Sequence, residues 1–104
     1  MSEVQKILHH EISKILQELY NCTDNQAIQI QPTKKEFEGN YTLVVFPLVR
    51  YSKQKPEETA QTIAEALIHK TTIISRFNIV KGFLNLTLSV DFWKTILKNI
   101  ESDS

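Results

Sequence analysis

Two residues, Lys81 and Gly82, separate two runs that read as β-strands, and this spacing limits the fold more than any other feature of the chain. Ile73 to Val80 alternates in polarity, and Phe83 to Leu88 takes up the alternation again directly after the glycine. A parallel pair needs a crossover of a dozen or more residues, so a two-residue link leaves only an antiparallel hairpin. In the second run Leu84, Leu86 and Leu88 fall on one side, and Phe83, Asn85 and Thr87 on the other. The leucine side is predicted to face the core. The other side is predicted to show water a large aromatic ring beside a carboxamide, next to a lysine and a glycine. Two readings fit such a face. The ring stacks on one unstacked nucleotide while the amide, with its N–H donors and acceptor oxygen, reads the base edge. Alternatively a helix or a partner domain covers the face, as happens with most exposed large apolar groups.

The remaining elements are read from periodicity. Val4, Ile7, Leu8, Ile12, Ile15, Leu16, Leu19 and Tyr20 form a stripe at helical spacing, which predicts an amphipathic helix over residues 3–20. Ser2 with Gln5 suits a capping box at its start. Residues 27–31 alternate and predict a strand that Pro32 ends. Residues 33–40 form a charged loop that closes with a glycine turn. Residues 41–51 are ambiguous: their β-branched content suggests a strand, whereas Pro47 argues against a central strand and is tolerated in the first turn of a helix. Pro56 suits a first helical position, and Glu57 and Glu58 favour the positive end of the helix dipole. A helix is predicted over 56–70, with Ala60, Ile63, Ala64, Leu67 and Ile68 inward. Ser89 is placed to cap a last helix over about 90–101, with Phe92, Ile96 and Ile100 inward. The order predicts an α+β fold, a small antiparallel β-sheet of three to four strands packed with about four α-helices on one face. The other face, or part of it, is then available to a partner.

Bulk properties narrow the function. A chain of 104 residues suits one domain. Twelve basic and twelve acidic residues cancel, which argues against a free-standing nucleic-acid binder but is compatible with an accessory domain. No apolar stretch approaches the ~20 residues of a membrane span. The polar N-terminus has no secretory signal. The single cysteine, Cys22, forms neither an internal disulfide nor a Cys-x-x-Cys site and suits a reducing compartment. His9 and His10 are neighbours on a helix and point about 100° apart, so they do not converge on one metal. With only Gly39 and Gly82 there is no phosphate-cradling glycine-rich loop. An active site contained in this chain alone is not expected. Lys34, Lys35, Arg50, Lys53, Lys55 and Lys81 form either a solvated face or a phosphate-contacting rim around Phe83 and Asn85.

Three motifs stand in register over about fifty residues: Phe37-Glu38-Gly39-Asn40-Tyr41, then Pro56-Glu57-Glu58-Thr59-Ala60, then Gly82-Phe83-Leu84-Asn85. In order and spacing the chain resembles the N-terminal domain of arginyl-tRNA synthetase, whose pattern is a Phe-Gly-Asp-Tyr-like turn, a Pro-x-x-x-Ala helix start and a Gly-Phe-(Ile/Leu)-Asn strand. The resemblance covers nearly the whole chain. It implies that Tyr41-Thr42 is extended and passes into a helix over about 44–52. It implies a fragment of a longer synthetase, with an accessory role at the D loop of tRNA-Arg in the cytoplasm. The same resemblance places ATP and arginine in a catalytic body outside this chain, so the fragment itself needs no cofactor and should not aminoacylate. As a lone domain it is expected to be a monomer. Carried over by position, Phe83 stacks, Asn85 hydrogen-bonds, and Gly82 lets the backbone turn tightly before them. Asn40 and Tyr41 match the family's Asp-Tyr, and Tyr41 is either a core tyrosine or a second stacking group. Lys81 adjoins as a phosphate contact. Two departures stand out: Lys81 replaces the family's proline before the glycine, and Asn40 replaces its aspartate.

Overall fold

The predicted hairpin forms one side of the sheet in the computed structural model, which describes residues 3–94 and residue 96. The strands are β1 (Gln29–Pro32), β2 (Tyr41–Val44), β3 (Ile74–Val80) and β4 (Phe83–Leu88), in the order β1-β2-β4-β3 and antiparallel throughout. Helices α1 (Glu3–Tyr20), α2 (Val49–Ser52) and α3 (Pro56–Lys70) complete an α+β fold. Residues 90–94 are helical again, and the Ser89 hydroxyl oxygen accepts from the Phe92 N–H at 3.1 Å, the cap anticipated there. Phe92 and Ile96 are buried as expected. Ile100 and the Ser2 half of the N-terminal capping box lie outside the described residues.

The leucine side of β4 does face the core. Leu84, Leu86 and Leu88 are buried together with Leu8, Ile12 and Leu16 of α1 and Ile63 and Leu67 of α3. Two helix stripes are narrower than their periodicity suggests. Leu19 and Ile68, both assigned inward, are each 36% exposed. Each stands near a helix end, where the stripe has run past the sheet. Conversely, Thr59 is fully buried. Its hydroxyl donates to the Lys55 carbonyl at 3.0 Å and meets the Ser52 hydroxyl at 2.6 Å, so burial leaves it satisfied.

Other boundaries shift for local reasons. Ala27 belongs to a 3₁₀ turn (Asn25–Ala27), not to a strand. β1 does end at Pro32, which is still paired, opposite Tyr41; β1 is an edge strand, where a missing N–H is tolerated. β2 runs through Val44, so the helical path begins later than residue 44. It starts at a 3₁₀ turn, Phe46–Leu48, which holds Pro47 in its first positions and leads into α2.

The hairpin turn corrects one expectation. The left-handed residue is Lys81, at φ +57°, and Gly82 has no positive φ. Gly82 has a different role: it makes room for the ring of Phe46, which lies across it and would have to shift to admit a Cβ there. Holding a non-glycine residue in the left-handed region costs about 1–2 kcal/mol, partly offset by the ~0.5–1 kcal/mol that glycine loses in chain entropy. Lys81→Gly is therefore expected to stabilise the fold by about 0.5–1 kcal/mol, read as a higher urea midpoint, while lowering affinity for any anion held by the lysine. A lower midpoint would show that the lysine conformation is unstrained.

Asp24 ties the first loop to α2. One carboxylate oxygen accepts from the Gln26 N–H at 3.1 Å, and the other accepts from the Tyr51 hydroxyl at 2.8 Å. The hydrogen bond to Asp24 raises the Tyr51 phenol above its ordinary value of 10.0. A raised folded value means the contribution is fully present below the unfolded pKa and is lost as pH climbs through the folded one. Stability measured by urea at rising alkaline pH should fall in part through this group, and Tyr51→Phe should remove that part. An unchanged alkaline slope in the variant would exclude the bond from the stability balance.

Candidate nucleic-acid interface

Strand register builds the face opposite the leucines. One row runs Gln29, Val44, Phe83, Val80 across the four strands; the next runs Gln31, Thr42, Asn85, Asn78; beyond it Thr87 stands opposite Arg76. This face is not left open. The loop of residues 33–40 crosses it, and the Glu38 carboxylate meets Arg76 Nη2 of β3 at 3.0 Å. Gly39, at φ +133°, lies so close that a Cβ would stand 3.2 Å from the Asn85 Cβ and 3.3 Å from the Leu86 carbonyl oxygen. Both the backbone angle and the approach call for glycine. Asn40 anchors the end of the loop. Its N–H donates to the Leu86 carbonyl at 2.8 Å, and its Oδ1 accepts from the Leu88 N–H at 2.9 Å. A carboxylate oxygen would serve equally as that acceptor, so the Asp-to-Asn departure from the family pattern leaves this bond possible.

The consequence is a correction: Asn85 does not face open water but is 1% exposed beneath the loop. Its Oδ1 is 2.6 Å from the Thr42 hydroxyl, while its Nδ2 is buried with no hydrogen-bond partner among the described residues. Asn85 instead lines a cavity of about 180 Å³, walled by Phe83 and Phe37 with Thr42 beside it and Lys34 and Lys81 contributing. That volume lies below the ~300–1,000 Å³ of sites for drug-sized molecules and suits a single ring system. Phe83 is half-buried and meets Phe46 edge-to-face, with centroids 6.0 Å apart and planes at 85°. Neither Lys34 nor Lys81 belongs to an ion pair among the described residues.

Phe83, Asn85 and Lys81 are thus brought together, with Gly82 buried beside them under Phe46. Tyr41 is not. It pairs with Leu86, packs against the core, and does not line the cavity. Asn40 is committed to the backbone of β4. Of the basic groups proposed as a rim, Lys34 and Lys81 line the cavity. Arg50 lies over the Tyr51 ring at 5.5 Å, Lys53 closes α2 at φ +59°, and Lys55 precedes α3. Thr42, Gln31 and Phe37 were not singled out from sequence. Thr42 joins the site only through the β2–β4 register, which no local pattern encodes. Among the described residues no group of three His, Cys, Asp or Glu could hold a metal, and no helix is long and apolar enough to cross a membrane.

Residues 3–88 match the family model described as "Arginyl tRNA synthetase N terminal domain". The chain is 48% identical over 86 residues to an arginine–tRNA ligase of Parabacteroides distasonis, covering 82% of this chain and 14% of that protein. To an arginine–tRNA ligase of Porphyromonas gingivalis it is 41% identical over 104 residues, covering 99% of this chain and 17% of the relative. The chain therefore spans less than a fifth of the length of either protein. Its fold is similar to part of the solved Thermus thermophilus arginyl-tRNA synthetase, with a TM-score of 0.65 at 19% identity over 83% of this chain and 14% of the other.

Proposed function

Because this chain belongs to the family of arginyl-tRNA synthetase N-terminal domains, we propose that it is a tRNA-binding accessory domain that holds the D loop at the elbow of tRNA-Arg. It would thereby position the tRNA for a catalytic body outside this chain, where ATP and arginine are bound. The chain itself acts as a monomer, in the cytoplasm.

One observation carries this reading: Asn85, whose side-chain nitrogen is buried and without a partner among the described residues, lines the cavity that Phe83 walls. An orphaned buried donor costs about 1–3 kcal/mol, a cost that a ligand atom arriving in the cavity removes. An unstacked base supplies both a flat surface for Phe83 and edge atoms for Asn85. Lys34 and Lys81 line the same cavity, and in this reading they meet the phosphates of the bound nucleotide. A net charge of zero implies weak binding by the chain alone, near the nonspecific range of ~10⁻⁴–10⁻⁶ M.

A second reading has its own observation. Phe46 is 52% exposed beside Phe83, which favours apolar docking on the catalytic body without RNA contact. Titrating tRNA-Arg into the ¹⁵N-labelled chain separates the two. The side-chain amide of Asn85 and the backbone of Phe83 should shift; silence at both positions would leave only the docking role.

A further inference from the structure

We propose that Thr42 is a positioning residue that sets which end of the Asn85 amide faces the cavity, so that the base is read through one of its acceptor atoms. The inference rests on the reading of the cavity as a base site and adds the polarity of its floor.

The 2.6 Å separation between Thr42 Oγ1 and the Asn85 side chain carries the argument. It falls inside the range of O–H···O bonds, about 2.5–3.0 Å, and below the ~2.7 Å at which N–H···O bonds begin. The atom against Thr42 is therefore the amide oxygen, and the hydroxyl donates to it. A hydroxyl has one hydrogen. The Thr42 hydroxyl also lies 3.0 Å from the Thr33 hydroxyl, again as the donor, and the shorter contact to Asn85 takes the single hydrogen. Rotating the amide by half a turn would set its nitrogen against the Thr42 oxygen at a separation shorter than N–H···O bonds take.

Two further features hold the arrangement. Thr42 and Asn85 are cross-strand partners in the β2–β4 register, and both are buried. Gly39 passes over Asn85 on the loop side, so close that a Cβ there would stand 3.2 Å from the Asn85 Cβ. The –NH₂ group is left as the unpaired end of a side chain that lines the cavity. Lys34 and Lys81 add donors and no acceptor. Against Asn85 itself a ring nitrogen or carbonyl oxygen of a base fits, whereas an exocyclic amino group finds an acceptor only toward Gln31, which also lines the cavity.

The test compares tRNA-Arg affinities of the chain and three variants at one low salt concentration, with folding checked from backbone amide spectra. Asn85→Asp keeps the shape and the Thr42 bond but replaces the free –NH₂ by an oxygen. It should lose about tenfold or more in affinity. Thr42→Val, which frees the amide to turn, should lose binding to a similar degree, and Thr42→Ser should restore it. If Asn85→Asp binds as well as the unaltered chain, the oxygen faces the base and the inference falls. It falls equally if a folded Thr42→Val binds normally. Should Thr42→Val fail to fold, Asn85→Asp alone decides. Failure of the base site itself is distinguishable: there tRNA leaves the Asn85 amide signal of the unaltered chain unmoved.

Discussion

Phe83→Ala is expected to weaken binding of tRNA-Arg by roughly tenfold to a hundredfold, from a stacking contribution of ~1–3 kcal/mol per base. The ring walls the cavity and is already fixed by its edge-to-face contact with Phe46, so little rotamer freedom is lost when a base arrives. It carries no charge, so the dependence of affinity on salt should stay as it is. Lys34→Ala and Lys81→Ala should behave in the opposite way, lowering the slope of log affinity against log salt by about one each without singling out a base. Truncating Phe83 also removes the ring pair with Phe46, at a stability cost of about 0.5–1.5 kcal/mol, so binding is to be compared where both proteins are fully folded. Equal affinities for the two proteins would take Phe83 out of the site and favour the docking role.

Leu84→Ala, one residue further on, should behave in the reverse manner. Leu84 is fully buried on the inner strand β4, opposite Leu43 of β2 and Ile79 of β3, on the side that α1 and α3 cover. Losing most of a buried leucine side chain costs about 2–5 kcal/mol, through both the transfer of its methyl groups and the cavity left behind. Against a typical total of ~5–15 kcal/mol this is the largest single loss expected here. The urea midpoint should fall with little change in its slope. Affinity for tRNA, measured where the variant remains folded, should hold, because no atom of Leu84 lines the cavity. A loss below about 1 kcal/mol would contradict its place at the centre of the core. Residues 83 and 84 thus report separately on the two sides of one strand.

Much of this is legible without coordinates because it is local. Period-two alternation sorts β4 into a leucine side and a Phe83/Asn85 side. Helical spacing gives α1 and α3 almost to the residue, and Ser89 announces its own cap. The motif run from Phe37 to Asn85 brings the family likeness with it. Local pattern misleads where a stripe outruns the surface it packs on, as at Leu19 and Ile68. It also misleads at Lys81, where a residue poorly suited to the left-handed region takes it while the neighbouring glycine makes room for Phe46.

The chain by itself determined its elements and the two sides of its central hairpin, since both follow from backbone geometry repeated every two or 3.6 residues. Only the tertiary structure decided that one of those sides is roofed. Glu38 reaching Arg76, Gly39 lying on Asn85, and Thr42 meeting Asn85 across strands all join segments far apart along the chain. Such pairings depend on how the whole sheet closes and leave no mark in any short window of residues. They turn an asparagine expected in open water into a buried amide with one nitrogen left to offer.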